Sequence, residues 1–216
     1  MKKFFVGLVL AVFCCGFLFS EKEEIDLFKK AKTLQKGKQY EDAIKSYRNF
    51  LKEFPETKES ADAQYNIGTC YLKLKQYEEA LKEFQAVIDK FPERKKAVDA
   101  YLQIGSIYQK KQEKYETAIK TYQELLEKYP DSKKAVNAQF ELAVCYEKID
   151  NSKKAIEEYQ KVIDTFPDSK KAEKAKEKIA KLKGQKTKKP KKQEPIKKTK
   201  KPIKSEEQLP PQDANE

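Results

Sequence analysis

The 216-residue chain has no histidine, no tryptophan and a single methionine, Met1. Without histidine, the histidine-assisted serine and cysteine nucleophiles drop out, and most zinc sites go with them. Glycine is scarce too: past residue 20 there are only Gly37, Gly68, Gly105 and Gly184, and none lies in a phosphate-cradling loop. Acidic pairs such as Glu78-Glu79 are expected on exposed helix faces, away from any pocket that would tune them for acid–base work. The composition thus points away from an enzyme and implies no cofactor and no metal.

Charge of one sign is lacking where it would matter most for nucleic acid. The net charge is +12, yet residues 21–183 hold 35 basic and 30 acidic side chains. Most of the excess sits in Lys2, Lys3 and the segment 184–216, which has 10 lysines against 5 acids. A nucleic-acid surface needs cations gathered on a folded face, so a nearly balanced body argues against that partner.

There is one long apolar run, Phe4 to Phe19, placed after Lys2-Lys3 and stopped by Ser20 and Glu21-Lys22-Glu23-Glu24. It is shorter than the ~20 residues a spanning helix needs. Residues 1–20 read as a secretory signal that exports the chain to a bacterial envelope, either the periplasm or the periplasmic face of the outer membrane. The alternative is an uncleaved N-terminal membrane anchor. Cys14 and Cys15 are candidate lipidation sites. Cys15, followed by Gly16, fits better than Cys14, which follows Phe13. The plainer reading makes both cysteines small apolar members of the signal.

What fills residues 21–183 is a repeat. Aromatic–proline pairs stand at Phe54-Pro55, Phe91-Pro92, Tyr129-Pro130 and Phe166-Pro167, at spacings of 37, 38 and 37. The same offsets link Ala43, Ala80, Ala118 and Ala155; Tyr47, Phe84, Tyr122 and Tyr159; and Ala31, Gly68, Gly105 and Ala143. Tyr77, Ala80, Leu81, Phe84, Val87, Ile88 and Phe91 form one helical stripe, and Ala61, Tyr65, Gly68 and Leu72 form a second. Each unit is therefore two helices, A then B, over about 25–57, 58–94, 95–132 and 133–169.

Proline ends each B helix, because it cannot continue the hydrogen-bond ladder and biases its predecessor away from helix. Thr57, Ser132 and Ser169 stand where a hydroxyl could cap the next A helix. Gly68 and Gly105 mark close A–B approaches, and Gly105→Leu is expected to cost about 1–3 kcal/mol by overpacking. The third unit's extra residue falls in Lys110–Lys114, which a loop can absorb. A last helix over 170–183, with Ala172, Ala175, Ile179 and Leu182 on one face, caps the array.

This pattern resembles the tetratricopeptide repeat: in unit two, Ile67, Gly68, Tyr71, Ala80, Phe84 and Pro92 match its recurring positions. The resemblance spans about Ile25 to Leu182 and implies an all-α, right-handed solenoid of four helix pairs plus a capping helix. Two departures stand out. The first large aromatic is shifted by one, to Gln64 then Tyr65, and the period exceeds the usual ~34 residues.

The longer period and the Phe-Pro-Asp-Ser-like junctions resemble a bacterial envelope subgroup. It includes the Tol–Pal-associated cell-division coordinator and the BamD lipoprotein of β-barrel assembly. The chain lacks the coordinator's N-terminal coiled coil and has four units where BamD has five.

The resemblance implies a non-enzymatic scaffold whose A helices line a concave groove for a protein partner of the envelope, in Tol–Pal or cell-division coordination. A BamD-like assembly role, or a structural tether, is the alternative. Groove candidates are Asn66, Thr69 and Lys73 in unit two and Gln103, Ser106 and Lys110 in unit three. Tyr65, Leu102 and Phe140 share one repeat position near them, and inter-helix packing is the simpler account of these three. Lys36, Lys73, Lys110 and Lys148 recur at another. That row either holds a carboxylate-rich ligand or answers the helix C-terminal dipole, worth ~0.3–1 kcal/mol each. The carboxylate clamp of chaperone-binding relatives is not reproduced, since Phe28 and Lys32 occupy its positions.

Cys70 and Cys145 occupy the same position two repeats apart, too distant for a disulfide and expected as buried free thiols. From Gly184 the chain reads as a disordered Lys/Pro-rich tail. Its lysines Lys188, Lys189, Lys191, Lys192, Lys197, Lys198, Lys200 and Lys201 are candidates for contact with anionic lipid or wall polymer. A solvated extension that keeps the protein soluble is the plainer reading. The oligomeric state is left open.

Overall fold

In the computed structural model, residues 22–186 are described. Cys14 and Cys15 and the tail lysines from Lys188 to Lys201 lie outside the described residues. Nine helices fill the described stretch, with no strand among those residues. They are α1 (22–36), α2 (Tyr40–Glu53), α3 (Ser60–Lys73), α4 (Tyr77–Lys90), α5 (Lys95–Lys110), α6 (Tyr115–Lys128), α7 (Ala135–Lys148), α8 (Ser152–Thr165) and α9 (Lys170–Lys186). From α2 onward each helix packs on the next, and α3, α5, α7 and α9 also touch in succession. The result is a solenoid of helix pairs in which the odd-numbered helices form one continuous layer.

The B helices α2, α4, α6 and α8 end where the aromatic–proline pairs require. Phe54, Phe91, Tyr129 and Phe166 sit just past each helix with φ of −130°, −132°, −133° and −131°. With ψ between 49° and 69°, each has left the α region, which a following proline disfavours for its predecessor. Each still donates its N–H back to the helix, to Phe50, Val87, Leu125 and Val162 respectively. No further turn can form, because proline brings no donor.

The A–B turns share one backbone device. Lys38, Lys75, Glu113 and Asp150 have φ of 62°, 62°, 53° and 57° at equivalent places. In the first unit Gln39 N–H bonds Leu34 C=O and Lys38 N–H bonds Gln35 C=O, a Schellman closure; the second and fourth units repeat it. In the third unit the bond becomes Lys114 N–H to Tyr108 C=O, one residue longer. The inserted residue is thus taken up inside the turn, and the left-handed residue that reverses the chain is kept.

Of the three expected hydroxyl caps, Ser169 behaves as one, accepting from Ala172 N–H at 3.1 Å. Ser132 accepts from Lys134 N–H at 3.3 Å. Thr57 does not cap: Ser60 Oγ accepts from the Thr57 N–H at 2.8 Å and donates to Phe54 C=O at 2.7 Å. The tie runs backwards here because the serine lies inside the helix, within reach of the Phe54 carbonyl before the proline. The last helix runs three residues past the expected end, through Gly184 to Lys186.

The apolar stripes meet in two clusters. One surrounds Tyr47 and Phe50 and the other runs from Ala80 to Leu182, with Tyr71 packed against both. An ideal Cβ on Gly68 would lie 2.7 Å from Phe84 Cε1, and one on Gly105 would press even closer on the Tyr122 ring. In the first and fourth units the equivalent residues are Ala31 and Ala143, both fully buried. Among the described residues no helix is long and apolar enough to cross a membrane.

Candidate functional site

Two of the expected groove residues, Asn66 and Thr69, are taken up by hydrogen bonds between the first two repeats. Tyr47 Oη donates to Gln35 Oε1 at 2.7 Å, Gln35 Nε2 donates to Thr69 Oγ1 at 2.8 Å, and Asn66 Nδ2 donates to Tyr47 Oη at 3.1 Å. Asn66 and Thr69 therefore stitch unit one to unit two and present little free hydrogen-bonding capacity. Burial, then the neighbouring Cys70, pushes the Tyr47 hydroxyl well above the ordinary phenol range, so it stays a donor.

The aromatic position beside them is packing. Tyr65 lies 5.2 Å from Phe84 between ring centroids, and Phe140 lies 5.3 Å from Tyr159. Lys96 Nζ sits 4.8 Å over the Tyr65 ring and Lys171 Nζ 4.1 Å over Phe140. The same lysines bridge to the preceding A helix: Lys96 to Asp62 at 3.2 Å, Lys171 to Glu141 at 3.2 Å, and their equivalent Lys134 to Asp99. These cations are answered within the protein.

The position where the repeat pattern usually has a large aromatic is Tyr101 in unit three, but in units two and four it is filled by a paired glutamine. Gln64, 7% exposed, donates to Glu83, and the equivalent Gln139 donates to Glu158. Gln64 departs from the repeat pattern, and its partner two turns into the next helix is what makes the departure tolerable.

Three of the groove candidates converge. Lys73, Gln103 and Ser106 line a cleft of about 290 Å³ between α3 and α5, together with Leu72, Lys75, Tyr77, Ile107 and Lys111. Leu72, Tyr77 and Ile107 supply apolar walls, while Lys73, Lys75 and Lys111 are exposed at the rim. No carboxylate lines it. Gln103 Nε2 also reaches Tyr65 Oη at 3.2 Å, which holds its amide at the wall. Lys110, exposed, is not part of this lining; Lys111 stands there instead, at the start of the lengthened turn. Lys75 and Lys111 carried no signal beyond being turn lysines, and Tyr77 read as part of the core stripe.

A larger cavity, about 650 Å³, opens on the opposite edge around Arg94, Lys95, Lys128, Tyr129, Lys133 and Lys134. There Glu93 and Asp131 stand among the cations, Lys134 pairs with Asp99, and Lys128 Nζ donates to Tyr101 Oη at 3.0 Å. The smaller cleft has the clearer polarity, a cationic rim with nothing opposing it. Cys70 and Cys145 are buried and free. Among the described residues no cluster of three or more Cys, Asp or Glu is arranged to hold a metal.

Models of the tetratricopeptide repeat match residues 28–95 and 96–168, together more than half of the chain. A tetratricopeptide repeat protein from Parabacteroides merdae superposes with a TM-score of 0.61 at 17% identity. The match covers 75% of this chain and 60% of that one, so the chain spans less than two thirds of that protein's length. A MamA protein superposes with a TM-score of 0.53 at 22% identity, covering 73% of this chain and 75% of its own. MamA from Desulfovibrio magneticus gives 0.53 at 17% identity, covering 76% and 95%. These likenesses concern the fold. No curated protein matches the chain.

Proposed function

The chain belongs to the tetratricopeptide repeat family, and from that premise we propose that it is a non-enzymatic scaffold which captures an acidic segment of a partner protein in the α3–α5 cleft. Proteins of this family generally act as interaction scaffolds rather than as catalysts. The observation that carries the reading is the cleft's composition: Lys73, Lys75 and Lys111 around Leu72, Tyr77 and Ile107, with no carboxylate in the lining. An apolar side chain entering it gains roughly 25 cal/mol per Å² of buried surface. The lysines steer and orient acidic neighbours, which makes association salt-dependent. Gln103 and Ser106 offer hydrogen bonds to the backbone of an extended ligand.

We place this activity in the bacterial envelope. Residues 1–20 act as an export signal, with Cys15 or Cys14 as the lipidation site if the chain is a lipoprotein. Tol–Pal or cell-division coordination is the role we favour, with a BamD-like part in outer-membrane protein assembly as the second. Residues 186–204, with a net charge of +9, add an electrostatic contact to anionic lipid or wall polymer.

The test is a photo-crosslinking residue at Ser106 in intact cells, with Lys120 on the exposed face of α6 as the control position. A partner adduct at 106 that disappears with Lys73→Glu, Lys75→Glu and Lys111→Glu supports the reading. Adducts at both positions, or indifference to charge reversal, overturn it. Deleting 184–216 tests the rival structural tether: lost envelope retention with adducts intact would favour that role for the tail.

A further inference from the structure

Resting on that reading of the cleft, we propose that its resident occupant is residues 205–216 of the same chain, which a partner must displace. This segment, Ser-Glu-Glu-Gln-Leu-Pro-Pro-Gln-Asp-Ala-Asn-Glu, carries Glu206, Glu207, Asp213 and Glu216 and no cation. Leu209, followed by Pro210-Pro211, is its one large apolar side chain. The chemistry matches the site: acids flanking an apolar anchor, facing lysines around apolar walls. Proline's ring fixes its own φ, so a segment with two prolines has less chain entropy to lose on docking.

Charge also sorts the two parts of the chain beyond Lys186. Residues 187–204 are strongly basic and are repelled by Lys73, Lys75 and Lys111; residues 205–216 are attracted. Glu78, on the adjoining helix, accepts from Gln112 Nε2 at 2.7 Å and lies outside the cleft's lining.

The fold delivers the chain to the right edge. Lys171 pairs with Glu141 and Lys178 with Glu147, so α9 runs parallel to α7. Its end at Lys186 therefore lies beside the A–B turns, the edge that holds Lys75 and Lys111. From α9 back to α5 is four helix-to-helix steps of ~8–10 Å, at most ~40 Å. Residues 187–204, at ~3.3 Å each when extended, reach about 60 Å. A tether of this length holds its end at an effective concentration of order millimolar, so a weak intrinsic affinity suffices for occupancy.

The experiment uses the full chain. A photo-crosslinking residue replaces Leu209, and the crosslinks are mapped by mass spectrometry. We expect monomeric products joined to residues 72–77 and 103–111. Crosslinks elsewhere, or only between two copies, overturn the proposal.

A second arm titrates a labelled 205–216 peptide into full-length wild type and into a full-length variant with its own tail disabled, L209S/E206Q/E207Q/D213N. Release of the internal competitor should make the variant bind the peptide at least tenfold more tightly. Equal binding, or binding to neither, overturns the proposal. Lys73→Glu with Lys75→Glu and Lys111→Glu, on exposed side chains, should abolish peptide binding while leaving the helical circular dichroism intact. If the peptide never binds but these reversals still remove the Ser106 adduct, the cleft reading stands and only the tail's occupancy fails.

Discussion

Tyr122 Oη donates to Gln109 Oε1 across 3.1 Å, joining helix B to helix A within one repeat. The relationship recurs with its chemistry adjusted. Tyr47 reaches Gln35 at 2.7 Å and Tyr159 reaches Glu147 at 2.9 Å. In the second unit the aromatic is Phe84 and the residue at the partner position is Leu72. Where the ring has a hydroxyl the chain places an acceptor, and where it has none the chain places an apolar side chain. Burial explains the coupling, since an unpaired hydroxyl or amide here would have no water to turn to.

Tyr122→Phe is expected to destabilise the protein by about 1–2 kcal/mol, because Gln109, 5% exposed, loses its donor. Adding Gln109→Leu recreates the Leu72–Phe84 pairing and should recover most of the loss. Thermal denaturation of both variants measures the coupling. Equal stability of the single and double variants would show that the pair is not matched.

The glycines separate by what surrounds them. Gly68→Ala should cost about 1–3 kcal/mol, since the new Cβ meets the Phe84 ring at 2.7 Å. Gly184→Ala should gain about 0.5–1 kcal/mol, because that residue is helical and a Cβ there meets nothing within 4 Å. Melting temperatures moving in opposite directions are the expected result.

Docking of α9 should depend on pH. Burial alone would raise the Glu147 carboxyl, but the Lys178 ammonium and the Tyr159 hydroxyl outweigh it and hold it below the usual carboxylate range. A folded-state value below the unfolded one, ~4.3, gives stability that is present above that pH and is lost as pH falls through the folded value. The pair is partly exposed, so the contribution is under ~1 kcal/mol. Glu147→Gln should show a smaller drop in melting temperature between neutral and acid pH than the wild type.

Burial lifts the Cys70 thiol to about 11 and the Cys145 thiol to about 12, with Glu41 and Glu141 adding to it. Both should resist iodoacetamide at mildly alkaline pH while the protein is folded, and both should react in denaturant. Rapid labelling of either in the folded state would contradict their burial.

Much of the fold can be read along the chain. The aromatic–proline pairs, the alanines at Ala43, Ala80, Ala118 and Ala155, and the helical stripes locate the helices and their ends because those signals are local. The extra residue of unit three also falls where expected, in the turn before Tyr115. The site was less legible. Lys73, Gln103 and Ser106 do share a cleft, but Asn66 and Thr69 are spent on Tyr47 and Gln35, and Lys110 gives way to Lys111. Whether a polar side chain on an A helix faces a partner or a neighbouring repeat depends on residues some 20 to 40 positions away, and periodicity within one helix does not carry that information.

The sequence by itself determined the helices, their breaks and the repeat, because hydrogen-bond geometry and proline act within a few residues. The tertiary structure alone decided which cations are free. Lys96, Lys134 and Lys171 repeat as regularly as Lys73 does, yet each is answered by a carboxylate on the preceding A helix. Lys73, Lys75 and Lys111 face a cleft lined by no carboxylate. Coulombic pairing acts through space, so stacking of the repeats turns some lysines into structural ties and leaves others on the rim of an open cleft.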